Sequence, residues 1–222
     1  MYRLLWRFGR LLFRLLYHVE IQGTEHLPAG GPIVLAANHS SFLDPILIAL
    51  GVPRPIRYMT FYTYVKMPVL GWLIRAFGAF PVYQTGMDKR AVATALKVLQ
   101  EGQPLVIFPE GRLTTDGRLQ EGKLGAARIA ARAGAPLIPI SIRGAFSVYP
   151  KGRRFPRLHG RISVIFHPPI PVDPSRSKDK TYLEDLTRTL MATIQSGLPQ
   201  EAWPLTSEVG VSKEKGLAPS KG

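Results

Sequence analysis

Short apolar runs recur along the chain and alternate with stretches whose apolar positions repeat at helical spacing. The runs predict strands near 19–23, 32–37, 56–60, 79–83, 104–108, 137–142 and 162–167. The periodic stretches predict helices near 45–50, 66–77, 87–101, 122–133 and 180–195. Strand and helix in turn argue for an α/β fold, a single domain with a mainly parallel sheet flanked by helices. "PLVIFPEG" (104–111) and "APLIPISIRG" (135–144) read as the clearest buried strands, each running into a glycine-containing loop. Ligands gather at the carboxyl ends of such strands, and "NHSSFLD", "PEGR" and "IRG" all fall there.

The first seventeen residues follow a different rule. Arg3, Arg7, Arg10 and Arg14 fall within an arc of about 60° on a helix, and nearly every other position is apolar. Apolar runs there never exceed three residues, too short for a membrane span or a signal peptide. The pattern predicts an amphipathic helix in the membrane interface, with arginines among lipid phosphates. A helix docked on the domain with a solvated arginine face is the alternative. A second apolar stretch, "MPVLGWLIRAFGAF" (67–80), carries Trp72 and Phe77 and reads as core. The basic "KGRRFPRLHGR" (151–161) reads as a solvated loop. After Gly197 the composition turns to Pro, Gly, Ser and Lys without periodicity. Three segments are therefore expected: a membrane-association helix over 1–17, a folded domain over 18–196 and a flexible tail over 197–222.

Composition narrows the chemistry. The 222 residues hold 45% apolar and 20% charged residues, enough for one ordinary core. There are no cysteines, which excludes disulfides, thiolate metal ligands and a cysteine nucleophile. The five histidines show no HxxxH or HExxH spacing, so no metal site is expected. With 29 Lys plus Arg against 15 Asp plus Glu, the net charge of +14 calls for an anionic partner. A nucleic-acid binder would suit that charge, but no nucleic-acid motif is legible.

Two strand ends carry the candidate chemistry. In "GPIVLAANHSSFLDP" (31–45) a buried strand runs into His39, with Asp44 five residues on. A neutral imidazole can take a hydroxyl proton while a carboxylate holds its other nitrogen. Asp44-Pro45 is equally a good helix start, with aspartate as cap. In "FPEGRLTTDG" (108–117), Glu110, Gly111 and Arg112 place a carboxylate, a flexible backbone point and a guanidinium at one mouth. Such a group suits a phosphate, and a plain surface loop would look the same. A hydrolase using Ser40 or Ser41 with His39 and Asp44 would lack any G-x-S-x-G elbow.

In combination, "NHSSFLDP", "VIFPEGR" and "GAARIAARAGAPLIPISIRG" resemble the glycerolipid acyltransferase family that includes 1-acylglycerol-3-phosphate acyltransferases. The likeness covers roughly residues 20–170. It implies transfer of a fatty acyl group from an acyl carrier protein or coenzyme A thioester to a lysophospholipid hydroxyl, with no further cofactor. By the same likeness His39 is the base and Asp44 its orienting carboxylate. Phe108, Pro109, Glu110 and Gly111 match the block that binds the acceptor's phosphate. Arg112, Lys123 and Gly144 are placed with the acceptor, and Gly125 and Pro139 match later positions. The implied acceptor is 1-acyl-sn-glycerol-3-phosphate, giving phosphatidic acid, on the cytoplasmic face of the cell membrane. Three departures stand out. Phe61 and Tyr62 occupy a common lysine pair, Tyr83 and Gln84 a common Asp-Arg, and Arg112 follows Gly111 directly. "FPEGRLTT-G" looks more like the branch acting on 2-acylglycerophosphoethanolamine. Lys66 and backbone N–H groups remain as candidate oxyanion donors.

Overall fold

The computed structural model describes residues 2–66, 78–82 and 89–199. In chain order the elements are α1 (Tyr2–Leu16), β1 (His18–Gln22), β2 (Val34–Ala37), α2 (Asp44–Gly51), β3 (Arg57–Phe61) and α3 (Tyr62–Val65). Then come β4 (Ala79–Val82), α4 (Lys89–Gln100), β5 (Leu105–Ile107), α5 (Gly125–Ala133) and β6 (Leu137–Arg143). The short α6 (Ala145–Val148), β7 (Arg161–Phe166) and α7 (Lys180–Ser196) complete the fold. Residues 67–77 of the helix predicted over 66–77, and the tail beyond 199, lie outside the described residues.

The seven strands form one sheet in the order β1-β7-β6-β2-β5-β3-β4. Five neighbouring strands, β6 to β4, run parallel, with Ala37 of β2 opposite Ile140 of β6 and Val34 opposite Leu105 of β5. At the other edge β7 turns back antiparallel to β6, and β1 joins it in parallel. The sheet is thus mainly parallel, with one reversal at the β6–β7 junction. That reversal brings the start of β7 to the carboxyl end of β6, where Arg143 pairs with Ser163.

Strand residues alternate between two cores, as a pleated sheet requires. Val34 and Ala36 of β2, with Leu105 and Ile107 of β5, pack under α4, α5 and α7. Leu35 and Ala37, with Val106, Ile138, Ile140 and Ile142, pack under α2. Helix α4 presents Ala91, Ala95, Val98 and Leu99, spaced to form one buried stripe. Helix α7 does the same with Leu183, Leu186, Leu190 and Ile194, and Asp179 caps it by accepting from Tyr182 N–H (3.0 Å). Its other end is tied to the sheet by the buried Ser141 hydroxyl, which donates to Ile194 O (2.6 Å).

Helix α5 begins at Gly125, three residues later than its periodicity predicts. The reason is local: Lys123 N–H donates to Pro109 O (2.9 Å) and Gln120 N–H to Glu110 (3.0 Å). Those bonds hold the preceding residues extended against the end of β5. Helix α1 forms over Tyr2–Leu16. No helix among the described residues is long and apolar enough to cross a membrane.

Candidate active site

The carboxyl end of β2 reaches the surface between β5 and β6, and the side chains there are fixed by both neighbours. Asn38 is buried and reads the edge of β6 with both ends of its amide. Its Nδ2 donates to Ile142 O (3.0 Å) and its Oδ1 accepts from Ile142 N–H (2.8 Å). From the β5 side, Glu110 Oε1 accepts from His39 N–H (2.7 Å), and His39 O accepts from Thr114 N–H (2.9 Å). The backbone at His39 is thereby pinned at both ends of the residue.

The five residues from His39 to Asp44 then fold back on one carboxylate. Asp44 Oδ2 accepts from His39 Nδ1 (3.0 Å), Ser40 N–H (2.7 Å) and Ser41 N–H (2.7 Å). Asp44 is fully buried, and its Oδ1 has no hydrogen-bond partner among the described residues. It stands at the first position of α2, where the helix dipole favours a negative side chain. It does not cap that helix: its side chain makes no capping bond and points back to the turn. Of the two readings open from spacing alone, the geometry matches the carboxylate–imidazole pair.

With Asp44 accepting at Nδ1, the imidazole holds its proton there and presents Nε2 as the basic nitrogen. The ring is stacked on Phe108, centroids 3.8 Å apart and planes 13° from parallel. Its side chain is 19% exposed, enough for a substrate to reach it. The Ser41 hydroxyl is committed elsewhere, donating to Tyr149 O (2.8 Å) and accepting from Leu43 N–H (3.1 Å).

Glu110, Gly111 and Arg112 follow β5 directly beside this turn. Glu110 is 2% exposed, and its second oxygen accepts from Gln120 N–H (3.0 Å). Both oxygens are thus taken by backbone, so the carboxyl braces the site from behind. Burial pushes its pKa up to about 7, against the pull of the two N–H donors; nearby Asp44 adds to the rise and Arg112 opposes it. Gly111 has φ +66, a conformation side chains rarely adopt, and the Lys123 ammonium lies over it. A Cβ at Gly111 would sit 2.9 Å from Lys123 Nζ. Arg112 is exposed, its Nη2 3.4 Å from Gln120 Oε1. Two cations, Arg112 and Lys123, therefore flank Gly111 at the mouth.

Gly144 lies at the carboxyl end of β6, at φ +78, and a Cβ there would meet Arg161 O at 2.0 Å. Its place is one of close backbone approach between β6 and β7. Lys66 is exposed, its ammonium 4.8 Å from the Tyr62 ring centroid. Tyr83 and Gln84 lie outside the described residues. Asn38, Thr114 and the stacking role of Phe108 escape sequence reasoning, because each partner is distant in the chain. An asparagine directly after a buried strand is the one local signal, since a buried amide must find bonds.

A sequence profile described as Acyltransferase matches residues 18–143. The chain is similar to the chloroplastic 1-acyl-sn-glycerol-3-phosphate acyltransferase BAT2 of Brassica napus, 36% identical over 159 residues, covering 69% of this chain and 45% of the relative. It is also similar to the 1-acyl-sn-glycerol-3-phosphate acyltransferase of Bacillus subtilis, 32% identical over 139 residues, 61% of this chain and 69% of that one. The chain spans about half the length of the first curated relatives it matches (45%, 44% and 54%). Among solved structures it resembles the crystal structure of the 1-acyl-sn-glycerophosphate (LPA) acyltransferase PlsC from Thermotoga maritima. That likeness has a TM-score of 0.73 at 26% identity and covers 88% of this chain and 77% of the other.

Proposed function

The chain belongs to the glycerolipid acyltransferase family, and on that premise we propose that it acylates the free hydroxyl of a lysophospholipid. The acceptor in this reading is 1-acyl-sn-glycerol-3-phosphate and the product phosphatidic acid. The acyl donor is a thioester of acyl carrier protein or coenzyme A, and no other cofactor takes part. One observation carries the chemistry: His39 Nδ1 is held by buried Asp44 at 3.0 Å while the partly exposed ring leaves Nε2 free to act.

Nε2 takes the proton of the acceptor hydroxyl as its oxygen attacks the thioester carbonyl. Asp44 stabilises the imidazolium that forms. The tetrahedral intermediate collapses, the C–S bond breaks, and the imidazolium returns its proton to the leaving thiolate. No acyl-enzyme forms in this sequence. Arg112 and Lys123 supply charge for the acceptor's phosphate, and the guanidinium can meet two oxygens at once. The protein works at an anionic membrane surface, on the cytoplasmic face of the cell membrane. Helix α1 lies in the interface there, ahead of a catalytic domain over 18–196.

Phe61 and Tyr62, standing where a lysine pair is common in the family, favour a second acceptor. That acceptor is a lysophosphatidylethanolamine, whose phosphate carries one charge fewer.

The deciding experiment is transfer of a labelled acyl group to a panel of lysophospholipids, in wild type and Arg112→Ala. Lysophosphatidic acid is expected as the preferred acceptor, with its KM raised about tenfold by the substitution and that of the donor unchanged. Preference for lysophosphatidylethanolamine would select the second reading. Acyl release to water without any acceptor transfer would overturn both.

A further inference from the structure

Among the described residues, the exposed large apolar side chains lie on only two segments. Phe8, Leu11, Leu12, Leu15 and Leu16 belong to α1, and Phe155 and Leu158 to the loop between α6 and β7. The α1 positions recur at i, i+3, i+4, i+7 and i+8, which is one face of a helix. Clustering of this kind marks an interaction surface, whereas single exposed leucines do not.

The two segments are joined at their ends. His18 N–H, just beyond α1, donates to Gly160 O (3.0 Å), and His18 pairs with Arg161 at the start of β1 and β7. Because β7 runs against β6, this joint lies at the end of the sheet where His39 stands. The loop also grips the catalytic turn at its root: Ser41 Oγ and Phe42 N–H both donate to Tyr149 O (2.8 and 3.3 Å).

The loop is built, and it is held open to display its tip. Arg157 N–H donates to Val148 O (3.0 Å) and Tyr149 Oη to Arg154 O (3.4 Å), which closes its base. Arg153 Nε donates to Phe155 O (3.0 Å), and the Arg154 guanidinium lies 5.4 Å from the Phe155 ring centroid. Phe155 and Leu158 stand out from this frame, 67% and 68% exposed. Lys151, Arg153, Arg154, Arg157 and Arg161 surround them, and no acidic residue occurs between Gly144 and Arg161. Apolar tips in a loop that carries only basic charges, joined at its end to the residue that follows α1, match the boundary between lipid tails and phosphates.

We propose that loop 150–160 is a second membrane-contact element, which inserts Phe155 and Leu158 into an anionic bilayer while its basic side chains meet lipid phosphates. Two elements, α1 and this loop, then seat the catalytic end of the sheet on its lipid substrate. The proposal rests on the reading above that the acceptor is drawn from a membrane.

The chain has no cysteine, so single introduced cysteines can be labelled cleanly. Leu158→Cys, Leu15→Cys and, as a control on α7, Thr189→Cys each take an environment-sensitive dye. Each full-length protein is mixed with vesicles of phosphatidylglycerol and phosphatidylcholine. The dye at 158 is expected to shift to the blue and to be quenched by bilayer-borne quencher, and the dye at 189 to do neither. Phe155→Ser with Leu158→Ser should weaken vesicle binding about tenfold or more. It should raise KM for vesicle-borne acceptor alike and leave turnover of a monomeric short-chain acceptor, and Tm, unchanged. A dye at 158 that stays in water while the dye at 15 enters lipid would overturn the loop's role and leave that of α1 standing. Entry at 158 without entry at 15 would support the loop and sink the reading of α1. A response of the 158 dye to an acidic carrier protein but not to vesicles would overturn the proposal in favour of a protein partner.

Discussion

From Asn38 to Asp44 only His39 and Phe42 are partly exposed, while from Lys151 to His159 every residue but Pro156 is exposed. The two segments touch through Tyr149, yet they are made by opposite rules. In the first, nearly every polar group has a named partner, because an unmatched group in a buried turn costs about 1–3 kcal/mol. In the second, the apolar side chains of Phe155 and Leu158 stand exposed among basic residues whose contacts, such as Arg153 with Phe155 O, stay within the loop. A turn that must aim one nitrogen needs rigidity, and a surface proposed to meet a fluid bilayer needs reach. Chemistry and delivery are thereby separable by substitution.

The comparison breaks most sharply at the turn. His39→Ala should lower kcat by about a thousandfold or more with Tm little changed, whether the acceptor is monomeric or in vesicles. Asp44→Asn should lose nearly as much, since an amide holds the imidazole in the wrong tautomer. Near-normal turnover by Asp44→Asn would return Asp44 to a purely structural role.

A smaller effect is expected at Glu110, whose oxygens accept from His39 N–H and Gln120 N–H and so support the turn. Its carboxyl has a folded pKa of about 7 against an ordinary 4.5. In this window the folded state binds more protons than the unfolded one, so stability falls as pH rises from 4.5 to 7 and is flat above. The loss amounts to about 3 kcal/mol. In Glu110→Gln that contribution should vanish from the pH dependence of Tm, seen as the wild-type minus variant difference. Turnover should fall about tenfold, because an amide can accept from His39 N–H or Gln120 N–H but not both.

On turnover itself the smallest effect is expected from the arginines of α1, proposed above to meet the membrane. Changing Arg3, Arg7, Arg10 and Arg14 together to glutamine keeps the helix and removes about 4 kcal/mol of attraction to an anionic bilayer. Binding to anionic vesicles should drop steeply, binding to neutral vesicles little, and turnover of a monomeric acceptor not at all. Added salt should reproduce the loss in the wild type. Wild-type vesicle binding by this variant would place α1 on the domain instead.

The strands are legible in sequence because β-branched and leucine runs are long enough to mark them. All seven lie within two residues of where the runs predict them. The reversal at β6–β7 is not legible, since strand direction depends on a crossover loop with no periodicity of its own. Helix α3 is missed because "YTYV" has the composition of a strand. His39 and Asp44 are visible as a pair because they lie five residues apart. Glu110's grip on His39 spans 71 residues and Asn38's on Ile142 spans 104, so neither partner can be named from local sequence. Phe155 and Leu158 hide within a basic run, where composition alone suggests a solvated loop. Only their exposure, on a loop that ends in a bond to His18, gives them meaning.

The three donors on Asp44 Oδ2 come from residues three, four and five positions earlier in the chain. Closing so short a loop costs little chain entropy, so the pair can assemble as soon as α2 starts to form. Its aim, by contrast, is set by bonds to β5 and β6 that close only when the sheet is complete. Partial opening of those neighbouring strands would therefore leave the dyad intact but misdirected. Inactivation on mild heating should then precede any loss of helical signal, and should reverse on cooling.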